Sequence, residues 1–179
     1  MAAATTTSRT PDARFLVSHP AHFIALGFGA GLAPRAPGTF GTLVAIPLTW
    51  LLLLALPALL IAFAAIPLFF LGVWASTITA RDLGSGDPGC IVIDEIVAFL
   101  PLCALSLPGA IANGNPVLLA LAFGLFRFFD IVKPPPIKAL EKNVKGGLGV
   151  MIDDVVAAFY AYVVFAIFIV VGYKVLGLS

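Results

Sequence analysis

Three stretches without a single charged side chain govern what this sequence can fold into. They cover residues 36–80, 96–126 and 155–173, which are 45, 31 and 19 residues long. A helix needs about 20 consecutive apolar residues to cross the ~30 Å hydrocarbon core of a bilayer. Over all 179 residues, 61% are apolar and 11% charged, less than half the ~25% charge of an ordinary soluble domain. Such a chain cannot clothe a normal water-facing surface. A soluble enzyme, a disordered chain and a basic nucleic-acid-binding domain are excluded, and the formal net charge of +1 leaves no surplus for a polyanion. The expectation is an all-α integral membrane protein.

Five apolar segments can be marked, at 42–56, 58–80, 90–107, 117–132 and 150–173. They predict a compact bundle of four to five transmembrane segments. Pro47, Pro57 and Pro67 interrupt regular helix bonding, so the first two segments are expected as a proline-bent hairpin with Pro57 near its tip. Residues 107–116 read as an uncharged turn rich in Pro, Gly and Asn. Residues 133–149 read as a charged loop, and 14–26 as an interfacial helix that dips Phe15, Leu16, Phe23 and Ile24 into lipid. Residues 1–13 are expected as a flexible tail and 14–179 as a single membrane-embedded domain. The tail lacks the basic start, apolar core and cleavage site of a secretory signal. Cys90 and Cys103 read as small buried residues rather than as a disulfide framework.

The charges fall on this map with a strong bias. If the first two segments form a hairpin, all nine acidic residues and nine of the ten cations lie on or near one face, with Lys174 opposite. The Lys/Arg excess in short loops assigns that face to the cytoplasm.

Acidic groups inside membrane helices are costly and mark function by default. Asp94 and Glu95 lie near the start of the third segment, Asp130 near the end of the fourth, and Asp153 and Asp154 near the start of the fifth. All five carboxylates therefore share one shallow layer, where they repel unless cations sit among them. Oxygen donors without a His or Cys cluster point to Mg²⁺, with Mn²⁺ second, rather than zinc. The bland alternative is a set of ion pairs with Arg81, Arg127 and Lys133 that locks the bundle. Phosphate-binding features lie beside the same layer. The run GFGAGLAPRAPGTFGT at 27–42 offers backbone N–H groups at a helix entry, a ready anion cradle, with Gly38, Thr39 and Gly41 as candidates. Arg127 and Lys133 flank Asp130, and Arg81 precedes the third segment. The chain has no Cys-x5-Arg and no Asp-x-Asp pattern, and His19 and His22 read as interfacial polar residues. Metal-assisted hydrolysis of a phosphate ester remains.

Four ordered blocks, GFGAGLAPRAPGTFGTLVAIP, TARDLGSGDPGCIVIDEIVAF, FRFFDIVKPPPI and NVKGGLGVMIDDVVAA, resemble the phosphatidylglycerophosphatase A family from about residue 27 to 158. The resemblance implies Mg²⁺-dependent hydrolysis of phosphatidylglycerophosphate to phosphatidylglycerol and phosphate in a bacterial inner membrane. It places catalytic and metal roles on Asp94, Glu95, Asp130, Asp153 and Asp154. Ala98 stands where the family often has Gly. The implied partners are an inner-leaflet phospholipid and the membrane, with neither nucleic acid nor an obligate protein partner. Two other readings stand beside it: a phosphatase of another lipid phosphate, or an ion-binding transporter. The transporter would need polar residues to continue across the bundle, and the outer halves of the segments carry no ionisable group.

Overall fold

The computed structural model describes residues 10–84, 88–106 and 116–176, which are helical with no strand among them. Two short helices, α1 (Ala13–Ser18) and α2 (Pro20–Ala25), lead into a 3₁₀ turn at Gly27–Leu32. Six further helices follow: α3 (Pro37–Leu53), α4 (Ala58–Leu83), α5 (Ile93–Ser106), α6 (Pro116–Val132), α7 (Ile137–Asn143) and α8 (Gly146–Leu176). The turn expected at 107–116 lies outside the described residues, apart from Pro116 at the start of α6.

Helix α5 is the hub. It packs against α3, α4 and α8, whereas α6 lies mainly on α8. Ile96 to Leu100 and Leu102 to Ala104 are all buried, so α5 is enclosed nearly all round. The long helices behave differently. α4 and the first 26 residues of α8 have the length and composition to cross a membrane, yet only 17% and 28% of their most apolar stretches are buried. A helix apolar on every side belongs either in a protein core or in lipid, and low burial excludes the core. Phe63, Phe70, Phe159 and Phe168 accordingly point outward.

The hairpin is present, with Pro57 capping α4 across the short link from α3. Its two arms meet α5 more extensively than they meet each other. Pro47, Pro67 and Pro101 do not end helices; each sits within a continuous one. Pro47 and Pro67 both face outward, and where no water reaches the backbone it has no better partner than its own helix.

Residues 14–26 differ from expectation. The segment breaks at His19, whose Nδ1 accepts from Ala21 N at 3.0 Å, with Pro20 opening α2. Phe15 is buried and stacks on His22 at 4.0 Å rather than entering lipid. Asp12 caps α1 by accepting from Phe15 N at 2.8 Å. The loop after Lys133 also contains structure, since α7 forms within it, and Tyr160 donates to Pro135 O at 2.9 Å to hold that loop on α8.

Two close approaches place the site. Val92 N donates to Ala25 O at 2.9 Å, tying the start of α5 to the end of α2. Gly27, at φ +54°, lies so close to the Val92 and Ile96 side chains that a Cβ would collide with both. The glycine-rich segment is thereby strapped to the helix that carries Asp94 and Glu95.

Candidate active site

Asp94 and Glu95 occupy the first turn of α5, where unpaired N–H groups and the helix dipole favour carboxylates. Asp154 comes from two turns inside α8, deep enough to be 3% exposed. One carboxylate oxygen from each of Asp94, Glu95 and Asp154 lies within 4.8 Å of the other two. Helix α6 adds Arg127 and Asp130 from its last turns. The Arg127 Nη1 donates to Asp130 Oδ2 at 2.7 Å and reaches Glu95 Oε1 at 3.4 Å. On the other side, Lys133 Nζ donates to Asp153 Oδ2 at 2.7 Å and approaches Glu141 Oε1 at 3.3 Å.

The five carboxylates thus divide. Asp130 and Asp153 carry the two cations, while Asp94, Glu95 and Asp154 converge. Burial alone would lower the Lys133 pKa, but the hydrogen bond and charge of Asp153, with Glu141 behind, hold it above the usual lysine range. The ammonium therefore persists well above neutral pH.

Among the described residues, four buried carboxylate oxygens have no hydrogen-bond partner: Asp94 Oδ1, Glu95 Oε2, Asp153 Oδ1 and Asp154 Oδ2. A buried acceptor left unsatisfied costs about 1–3 kcal/mol, and more when charged. Ion pairs that merely locked a bundle would not leave so many open. Two cations also leave most of this negative charge uncompensated. Hard oxygen donors in a converging trio fit a divalent ion such as Mg²⁺, and Asp94, Glu95 and Asp154 are the residues that would hold it.

The start of α3 touches this cluster. A Cβ on Gly38 would fall on Glu95 Oε1 and crowd Arg127 Nη1. Thr39 follows on the same first turn, and Thr42 Oγ1 donates back to Gly38 O at 2.9 Å. Gly41 instead lies against Val92, where any side chain would clash. Arg81 is placed elsewhere, with a side chain 73% exposed and Nε on Asp82 Oδ1 at 2.9 Å.

Two features had no visible sequence signal. Glu141 joins Lys133 from α7, and His22 is a buried strut, not an interfacial group. Its Nε2 meets Asp82 Oδ2 at 3.0 Å, and its Nδ1 lies 3.1 Å from Phe15 O. The His22–Asp82 contact joins residues 60 positions apart, so no local motif could report it. Ala98, the departure from the family pattern, is buried within the α5 core.

Fold and site together define a class: an all-helical protein with membrane-length helices and a buried cage of carboxylates flanked by Arg127 and Lys133. The sequence profile described as Phosphatidylglycerophosphatase A matches residues 23–169. The chain is 40% identical over 162 residues to phosphatidylglycerophosphatase A of Haemophilus influenzae, covering 90% of this chain and 96% of that one. It is 40% identical over 144 residues to phosphatidylglycerophosphatase A of Escherichia coli, covering 80% of each. A Bacteroides thetaiotaomicron relative, provisionally named a phosphatidylinositol-3-phosphatase, is 41% identical over 151 residues, covering 80% of this chain and 90% of that one. No solved structure matches the chain with significance. The protein belongs to the phosphatidylglycerophosphatase A family.

Proposed function

We propose that this protein hydrolyses phosphatidylglycerophosphate to phosphatidylglycerol and inorganic phosphate, using Mg²⁺. The observation that carries the reading is the convergence of Asp94, Glu95 and Asp154, with open oxygens, beside Arg127 and Lys133. When bound, a divalent ion supplies Lewis acidity toward the phosphoryl group and toward water. The chain's own groups do the rest. Arg127 and Lys133 offer charged donors to the phosphate oxygens, and Asp130 and Asp153 hold those donors in position. The α3 entry brings the Gly38 backbone against the Glu95 and Arg127 side chains, while the Thr39 N–H is already held by Ala36 O at 2.9 Å. The reaction forms a bond from water oxygen to phosphorus and breaks the bond from phosphorus to the glycerol oxygen. A carboxylate oxygen would take the proton of the attacking water and return it to the departing glycerol oxygen, which leaves as a hydroxyl.

Residues 14–179 would form one membrane domain of four to five spans, taking its first helix cap from Asp12. The cluster would face the cytoplasm of a bacterial inner membrane and act on inner-leaflet lipid, without nucleic acid or an obligate protein partner. The grouping of Lys138, Lys142 and Lys145 on the connection between α6 and α8 supports this orientation, because short basic loops stay in the cytoplasm. A Lys142→Cys variant lacking Cys90 and Cys103 should label with impermeant thiol reagent only after the inner face is opened. Labelling from the outside alone would reverse the orientation.

The activity is tested by phosphate release from the purified protein. The substrates are phosphatidylglycerophosphate, phosphatidic acid, phosphatidylinositol 3-phosphate and glycerol phosphate, each with and without Mg²⁺. Mg²⁺-dependent release with phosphatidylglycerophosphate preferred is expected. Preference for phosphatidylinositol 3-phosphate, the substrate in the Bacteroides relative's name, would move the assignment to another lipid phosphate. No release from any of them would end the phosphatase reading.

A further inference from the structure

A cavity of about 570 Å³ opens between α4, α5 and α8, within the ~300–1,000 Å³ range of pockets that take organic ligands. Its floor is made of small buried residues, Ala98 and Ala158. Each stands four positions after a member of the carboxylate trio, Ala98 after Asp94 and Ala158 after Asp154. Residues at i and i+4 share a helix face, so the cavity continues the acid-bearing faces of both helices by one turn. Its rim is formed by Phe70, Phe159 and Ile66, which are 65%, 61% and 57% exposed. The mouth therefore opens on the side where α4 and α8 present apolar surface outward.

An apolar groove that begins one helical turn from the carboxylate trio suits a ligand with the same polarity. Its phosphate head would meet Arg127 and Lys133, and a hydrocarbon tail would leave sideways over alanines. A water-soluble phosphate ester would gain nothing from the groove. We infer that the groove is a subsite for one acyl chain of a lipid phosphate, so that the tail positions the headgroup before reaction. This rests on the lipid-phosphate reading of the active site.

The test uses the full chain in phosphatidylcholine nanodiscs with phosphatidylglycerophosphate carrying a diazirine midway along one acyl chain. Irradiation should place adducts on Phe70 and Phe159, and unlabelled phosphatidylglycerophosphate should displace them where added phosphatidylcholine does not. Ala98→Leu should suppress them. Ile66→Trp alters only the exposed rim and keeps the test valid if Ala98→Leu fails to fold. For the rim variant, the KM for a long-chain substrate should rise about tenfold, the effect of withdrawing roughly two buried methylenes, while a dihexanoyl substrate is unaffected. Adducts spread evenly over the outward faces, displacement by any lipid, or a groove-to-groove crosslink between two copies would overturn the subsite. Labelling requires no turnover. An inactive protein with localised adducts would defeat the reaction and keep the groove, and an active one with diffuse adducts would do the reverse.

Discussion

Asp154→Asn should lower turnover by more than about 100-fold, since losing even an outer-shell partner of a metal site costs about 10–100-fold. Asp94→Asn and Glu95→Gln should behave alike, because the three share one converging set of oxygens within 4.8 Å. Asp153→Asn and Asp130→Asn should cost less, within that outer-shell range. Their carboxylates hold Lys133 and Arg127 at 2.7 Å, and Lys133 retains Glu141. Stability should move the other way from activity. Without divalent ion, Asp154→Asn removes one of three crowded buried carboxylates, so its melting temperature should equal or exceed that of the wild type. Adding Mg²⁺ should stabilise the wild type by about 2.7 kcal/mol at 100 times its Kd and leave the variant nearly unmoved. Thermal melting in detergent with and without Mg²⁺ reads both effects. Near-normal turnover in Asp154→Asn beside a dead Asp153→Asn would place the metal on the wrong carboxylates.

That division among the acids depends on side-chain direction, which the linear pattern does not carry. The charges were conspicuous because each interrupts a long apolar run, and intramembrane acids are too costly to be incidental. The helices were legible for the same reason, since runs of that length allow little else. Which acid faces which neighbour depends on the rotation of α5, α6 and α8 about their axes, and residues one apart point about 100° apart. Asp153 and Asp154 are adjacent in sequence, yet one meets Lys133 and the other meets the trio. Arg81 illustrates the converse. It lies near the acids in sequence, but Asp82 engages it at the exposed end of α4. From its own amphipathic segment alone, Phe15 reads as a lipid contact. Its stacking partner, His22, lies seven residues away across the break at His19.

Gly38→Ala should disable the enzyme although it deletes no functional group. Gly38 is buried at the first turn of α3, and its missing Cβ is what allows the Glu95 carboxylate and the Arg127 guanidinium to approach. A methyl group there would overlap Glu95 Oε1. The obstruction is not easily relieved. Gly41 is wedged against Val92, so α3 cannot shift relative to α5 without disturbing a second close contact. Glu95 must give way instead, carrying its oxygen out of the trio and weakening its reach to Arg127. A displacement of about 1 Å at a reacting centre can cost about 100-fold in rate, and that is the expected loss. Overpacking of this kind also costs about 1–3 kcal/mol of stability. Thr39→Ala, one residue along the same turn, adds no bulk and should keep the melting temperature. The decisive comparison pairs Gly38→Ala with Gly38→Ala/Glu95→Asp, whose shorter acid withdraws from the added methyl. Partial recovery of the melting temperature in the double variant would show that the clash is with Glu95. No recovery, or a Gly38→Ala protein with full activity, would show that the start of α3 is not packed on the carboxylate cage.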